Sequence, residues 1–280
     1  MSTATLGRRP IDSVISGLAS YWPELDAKLV LAAYQFSREA HAQQYRLSGE
    51  PYICHPVAVG QILTTIESDP TSIIGGLLHD VVEDNDAVAL EEISERFGET
   101  VGLMVDGVTK LRRLDLATQR EKQASNLRKM LLAMAQDLRV VLIKLSDRLH
   151  NMRTLWPLPP EKRKRTSEET LYILAPLAHR LGVWQLKAEL EDLSLRYLEP
   201  RWYWGIVRAL GQSREQREAY IEETRSLLRA RLLAAHIPAE EHGRAKNVYS
   251  IWRKIRTEGV PLEEMHDISG LRVIVHTDEQ

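Results

Sequence analysis

Four residues in this 280-residue chain stand out as a set that could hold a metal: His55, the adjacent pair His79 and Asp80, and Asp147. Imidazole and carboxylate together suit a divalent transition metal. The spacing is wide, 24 residues from His55 to His79 and 67 from Asp80 to Asp147, so such ligands meet only if several helices converge. A metal held there would keep open positions, polarise a phosphoryl oxygen and lower the pKa of a bound water. Glu83 and Asp84 follow one turn later and could orient or deprotonate that water. The chemistry these parts fit is metal-assisted phosphoester hydrolysis.

The elements that must position these residues read as helices. At about 100° per residue, Leu77, Val81, Leu78 and Val82 fall within an arc of about 140°. His79, Glu83, Asp80 and Asp84 occupy about the opposite 140°. Around Asp147 the same count puts Val141, Leu142, Leu145, Leu149 and Met152 on one face. Lys144, Asp147, Arg148, Asn151 and Thr154 share another, a stripe suited to a phosphorylated ligand. The alternative reading of both polar stripes is the solvated outer face of an amphipathic helix. Glu83 and Asp84 have a plainer alternative in solubility and helix ends.

Most of the chain carries helical periodicity. Leu25 to Ala40 predicts one helix, and Tyr45 to Pro51 a loop broken by Gly49 and Pro51. Pro56 suits the first turn of the next helix, Pro70-Thr71 ends it and caps another, and Gly98 stops a further one. Leu127, Met130, Leu131 and Met134 predict a helix with methionine core filler. Further helices are expected over 139–155, 161–180 with a kink at Pro176, 183–198 and 213–235. Trp202, Tyr203 and Trp204 read as packing aromatics. The texture then changes. Ile237-Pro238 and Gly243 read as a linker or turn, Tyr249 to Ile255 as a short helix, and Leu271 to Val275 as a buried strand.

Apolar residues make up 44% and charged residues 27%, a globular balance. The net charge of −2 gives no sign of a general nucleic-acid binder, leaving room for a local basic patch, and no direct nucleic-acid binding is expected. Cys54 is the lone cysteine, so no intrachain disulfide forms. Its plain reading is a small apolar filler. The sequence lacks a run long enough to span a membrane, and a cytoplasmic location is expected. The basic run Lys162 to Arg165 could help hold pyrophosphates or could be a solvated helix face.

The string Leu77-Leu-His-Asp-Val-Val-Glu-Asp84 resembles the HD metal-dependent phosphohydrolases. Longer strings resemble the hydrolase half of the RelA/SpoT enzymes: 46–56, 105–111, 128–134, 143–155 and 175–182. The likeness runs over roughly 28–275. It implies a mainly α fold: an all-helical HD-type phosphohydrolase domain at 1–200, a helical connector at 201–242, and the beginning of an α/β nucleotidyltransferase-like synthetase domain at 243–280. It implies Mn²⁺ on His55, His79, Asp80 and Asp147, service to the attacking water by Glu83 and Asp84, and contacts to a guanosine nucleotide from Arg46, Ser48, Asn151 and Thr154. The implied reaction removes the 3′-pyrophosphate of ppGpp or pppGpp, leaving GDP or GTP. Leu47 stands where some relatives have a basic residue near the base.

Residues 243–255 resemble the start of the synthetase region, with Ala245 and Asn247 departing from the usual Pro and His. There Arg244 and Lys246 match positions that meet ATP phosphates, and Asp267 matches a metal-binding catalytic aspartate. The second catalytic acid of that family is absent from the sequence. Two other functions remain open from the residues: an HD-type phosphohydrolase of another nucleotide, and a non-catalytic regulatory fragment.

Overall fold

Carboxylates and prolines start the helices that matter most. Asp26 accepts from the Lys28 N–H and begins a helix at Ala27–Ala40. Asp69 accepts from the Ser72 N–H, with Pro70 in the first helical turn of Pro70–Leu78. Asp137 does the same for Leu138–Arg153 through the Arg139 N–H. The computed structural model describes residues 10–112, 137–275 and 277. The helix expected over 127–134 lies outside them.

The chain forms two compact units, Met1–Leu190 and Glu191–Gln280. Among the described residues of the first, the helices are α1 (Pro10–Ala19), α2 (Ala27–Ala40), α3 (Cys54–Thr65), α4 (Pro70–Leu78), α5 (Val81–Asp84), α6 (Leu90–Phe97), α7 (Glu99–Arg112), α8 (Leu138–Arg153), α9 (Pro160–Glu169) and α10 (Ala175–Arg180). The short α4 is the hub. Every residue from Ser72 to Leu78 is buried, and the helix packs against α2, α3, α7 and α8. Burying a side chain such as Leu77 or Ile73 is worth about 1.5–3 kcal/mol. Two glycines permit the approach. A Cβ on Gly76 would lie 2.6 Å from Leu63 Cδ1 on α3, and one on Gly75 would lie 3.1 Å from Ile143 Cδ1 on α8. The glycine pair thus brings together the three helices that carry His55, His79 and Asp147.

The segment around His79 differs from the single helix that periodicity predicts. α4 ends at Leu78, His79 and Asp80 form a turn, and α5 restarts at Val81. Leu77, Leu78 and Val81 are fully buried as expected, but so are His79 and Asp80, which the outer-face reading would have left in solvent. The cap of α4 is Asp69 rather than Pro70-Thr71. The 161–180 segment also divides: a π turn, Thr170–Leu174, separates α9 from α10. Pro176 has no N–H to offer the i−4 carbonyl, and the Ala175 N–H bonds to Thr170 instead, so the wider turn absorbs the proline without a break.

In the second unit, α11 (Trp184–Leu198, from Glu191 onward) is followed by α12 (Pro200–Leu210) and by α13 (Arg214–Ala234), whose start is a Ser213–Gln216 capping box. Strand β1 (Ala239–Ala245), α14 (Val248–Glu258) and β2 (Ser269–Val275) complete it. The strands pair antiparallel, Ala239 with Val275 through Ala245 with Ser269. Leu195, Ile206, Val248, Ile251 and Met265 form its core. Three expectations need correction here. Gly243 lies inside β1, where its missing side chain makes room for Ile221 of α13. β2 is exposed along its whole length, because a two-stranded sheet covers only one edge of each strand. Trp202 and Trp204 are 39% and 46% exposed, and of the three aromatics Tyr203 packs on the core. Among the described residues, no helix is long and apolar enough to cross a membrane.

Candidate metal and nucleotide site

The loop before α3 is closed by a β-bridge between Tyr45 and Pro51 and by Arg46 N–H bonded to Glu50 O at 2.9 Å. Gly49 turns it with φ +88°, a conformation that favours glycine. This loop ends in the first turn of α3, which holds His55 in the interior, 1% exposed. His79 and Asp80 enter from the turn after α4, and Asp147 from the middle of α8.

These four side chains converge. Ligand atoms of His55, His79 and Asp80 all lie within 4.8 Å of one another. Asp147 Oδ1 is 3.3 Å from His55 Nε2 and 4.0 Å from His79 Nε2. Both carboxylates of the cluster are themselves held. Tyr52 donates its hydroxyl to Asp80 Oδ2 at 2.7 Å, and Lys144 Nζ donates to Asp147 Oδ2 at 2.8 Å. Burial and the Asp80 carboxylate push the Tyr52 phenol far above its ordinary range, which keeps its proton in that bond.

The tautomer of His79 decides what the cluster can hold. Its Nδ1 is 2.7 Å from the Gly76 carbonyl, so Nδ1 carries a proton. Among the described residues, Nε2 is buried with no hydrogen-bond partner, yet Asp80 Oδ2 lies 3.1 Å away. A lone pair cannot face a carboxylate at that distance without a proton or a cation between them. With a proton there, burial opposes the charged ring, but the Asp80 and Asp147 carboxylates outweigh it and raise the His79 pKa. Burial likewise would raise both carboxyls. His79 and His55 instead hold Asp80 well below its usual range, and Lys144 and His55 do so for Asp147. The cluster keeps two buried carboxylates ionised beside two imidazoles, a donor set that fits a divalent cation.

Beside the cluster opens a cavity of about 480 Å³, with His55, Asp80 and Asp147 in its wall. Arg46, Lys144, Arg148 and Arg165 bring cationic groups to it. Arg46 Nη2 donates to Asn151 Oδ1 at 2.8 Å and to Thr154 Oγ1 at 3.0 Å, tying the loop to α8. Ser48 and the exposed Leu47 also line the cavity. Arg46, Ser48, Asn151 and Thr154, expected to act together, all line this cavity. Of the basic run, Arg165 alone reaches it. Glu83 and Asp84 sit on α5, directly after the ligand pair. Neither is in the cavity wall, and the Asp84 carbonyl accepts from Gln44 at 2.8 Å. Arg244, Lys246 and Asp267 are in the second unit, where Lys246 and Lys254 bond Asp267 and lower its pKa.

Sequence reasoning missed His150 and Tyr52. His150 Nδ1 is 2.8 Å from His55 Nδ1, and burial followed by the neighbouring His55 lowers the His150 pKa to about 3. Each is three residues from a ligand: a helix-face count from Asp147 along α8 would have flagged His150, whereas Tyr52 lies in the turn before α3, where no such count applies.

The HD domain family model matches residues 33–184, a span that takes in all four clustered side chains. The chain belongs to the HD domain family. A second model, described as a region found in RelA / SpoT proteins, matches residues 243–280. The HD chain is 46% identical over 263 residues to a GTP pyrophosphokinase of Myxococcus xanthus, covering 93% of this chain and 35% of that protein. It is 45% identical to a guanosine-3′,5′-bis(diphosphate) 3′-pyrophosphohydrolase of Aquifex aeolicus, covering 97% and 38%. With the bifunctional (p)ppGpp synthase/hydrolase SpoT of Escherichia coli K12 it shares 44% identity, covering 94% and 37%. The chain spans little more than a third of the length of these relatives. The RelA/SpoT resemblance and the mainly α fold expected from the sequence both hold.

Proposed function

We propose that this HD domain hydrolyses the 3′-pyrophosphate of ppGpp or pppGpp, with Mn²⁺ held by His55, His79, Asp80 and Asp147. The observation that carries the metal reading is the buried His79 Nε2, aimed at Asp80 Oδ2 with its other nitrogen committed to Gly76 O. The names of the relatives support the guanosine nucleotide as substrate. When bound, the cation supplies charge neutralisation at a phosphoryl oxygen and acidification of the attacking water.

The chain's own groups divide the remaining work. Lys144, Arg148 and Arg165 offer cations to the phosphates. Arg46, braced by Asn151 and Thr154, offers a planar cation to a base or phosphate, and Ser48 a hydroxyl in the same cavity. Glu83 and Asp84, on α5 directly after the ligand pair, orient or deprotonate the attacking water. The water oxygen bonds to the 3′-linked phosphorus, the bond to the ribose 3′ oxygen breaks, and that oxygen takes up the proton lost by the water and leaves as a hydroxyl. We assign this chemistry to residues 1–200, with 201–242 as a helical connector to a synthetase-like region from 243. In that region Arg244 and Lys246 would meet nucleotide phosphates and Asp267 a metal. The single cysteine supports a cytoplasmic setting.

The test is incubation of the metal-free chain with ppGpp, with and without Mn²⁺, following GDP and pyrophosphate. Release that needs Mn²⁺ and stops with chelator is expected. Full turnover after rigorous chelation overturns the metal reading, and no release with Mn²⁺ overturns the substrate.

A further inference from the structure

The two histidines of the cluster are held in different ways. His79 gives its Nδ1 proton to a backbone carbonyl, Gly76 O. His55 turns its Nδ1 instead to another imidazole: His55 Nδ1 and His150 Nδ1 are 2.8 Å apart, with ring centroids at 4.9 Å. Two nitrogens at that distance share one proton, because two would collide. A neutral imidazole has one N–H. If His55 Nε2 presents its lone pair to a cation, the proton of His55 is on Nδ1. His150 can then only accept, and its own proton must sit on Nε2.

We infer that His150 is a positioning residue, whose Nδ1 lone pair accepts the His55 Nδ1–H and so sets the tautomer and ring orientation that aim His55 Nε2 at Asp80 and Asp147. The inference rests on the metal reading above. The surrounding geometry favours it. His55 Nε2 lies 3.5 Å from Asp80 Oδ2 and 3.3 Å from Asp147 Oδ1, so the far nitrogen already points into the cluster. His150 is one helical turn after Asp147 on α8, and its carbonyl accepts from the Thr154 N–H and hydroxyl. α8 therefore contributes twice: directly through Asp147, and through His150 by steering a ligand that belongs to α3, 95 residues away. Partners of this kind tune metal affinity by about 10–100-fold.

The experiment uses the full chain, stripped of metal, with Mn²⁺ alone as the probe. Affinity is read from the electron paramagnetic resonance of free Mn²⁺, and folding from the unfolding temperature in chelator. His150→Leu fills the space without an acceptor. His150→Asn places an amide oxygen near the position of Nδ1. We expect His150→Leu to weaken Mn²⁺ binding by about 10–100-fold. We expect His150→Asn to stay within about threefold, since one neutral acceptor replaces another. Equal affinity in all three chains overturns the inference. So does His150→Asn binding as weakly as His150→Leu. Should His150→Leu not fold, imidazole ¹⁵N spectra of the unaltered chain, loaded with diamagnetic Zn²⁺, decide the matter. A His150 ring protonated on Nε2 supports the inference, and one protonated on Nδ1 overturns it. Failure of the unaltered chain to bind any divalent cation is a separate result, which removes the metal reading and this inference with it.

Discussion

Replacing Lys144 by Met isolates the electrostatics of the cluster. The two side chains have similar reach, so the change removes a cation and leaves most of the packing. Lys144 and Asp147 are both buried, with side chains 11% and 7% exposed, and their charges are 2.8 Å apart. At an effective dielectric of about 20, that pair is worth about 6 kcal/mol of attraction. Desolvation of the ammonium offsets part of it. Removing one partner of such a pair therefore costs about 3–5 kcal/mol, because Asp147 is left buried and uncompensated. In chelator, the unfolding temperature of Lys144→Met should fall by roughly 6–20 °C. A divalent cation against Asp147 supplies the missing positive charge. With saturating Mn²⁺ the loss should shrink by half or more, which by linkage means tighter Mn²⁺ binding in the variant. Scanning calorimetry of both chains, with chelator and with Mn²⁺, measures all four numbers. An identical loss in the two conditions would show that no cation sits against Asp147. No loss in chelator would show that the Lys144 contact contributes nothing.

The carboxylates should separate by role: Asp80→Ala loses bound Mn²⁺ and turnover together, while Glu83→Gln keeps the metal and turns over about 10²–10⁴-fold more slowly, and a Glu83→Gln chain of normal rate would remove that residue from proton transfer. His150 supplies a pH dependence in the metal-free chain. Its pKa of about 3 in the folded chain lies below the ordinary 6.5, so unfolding takes up a proton between those values. Its contribution is complete above pH 6.5 and falls as the pH drops toward 3, with a slope of at most about 1.4 kcal/mol per pH unit. Urea titrations should show that slope reduced in His150→Asn, and parallel pH profiles would refute the assignment. Gly76→Ala should cost about 1–3 kcal/mol, because its Cβ would press on Leu63. It should also weaken Mn²⁺ binding by shifting His79, and normal stability and affinity would show that α3 and α4 yield without strain.

Much of this protein is legible locally. Side-chain periodicity places a helix over Asp147 with Val141, Leu145, Leu149 and Met152 inward, and the structure agrees. Gly98 ends its helix with φ +97°, and Pro56 sits in the first turn of α3. Residue chemistry narrows the metal candidates to His, Asp and Glu side chains, and the structure brings His55, His79, Asp80 and Asp147 together among them. Tertiary structure decided what one strand of sequence does not encode. The polar stripes at 79–80 and 144–154 could each have faced water. They face each other because Gly75 and Gly76 let α4 approach α3 and α8 closely, and no helix-face count registers that proximity. The turn at His79-Asp80 interrupts a pattern that reads as continuous helix, since four residues to either side satisfy the same periodicity. β2 reads as a buried strand from its Leu, Val and Ile content, but burial depends on a covering layer, and β1 pairs along its edge without covering its faces. The contacts of His55 with His150, and of Arg46 with Asn151 and Thr154, join residues 95 to 108 positions apart. Such bonds exist only once the helices have packed, because the free energy that forms them comes from the apolar core beneath.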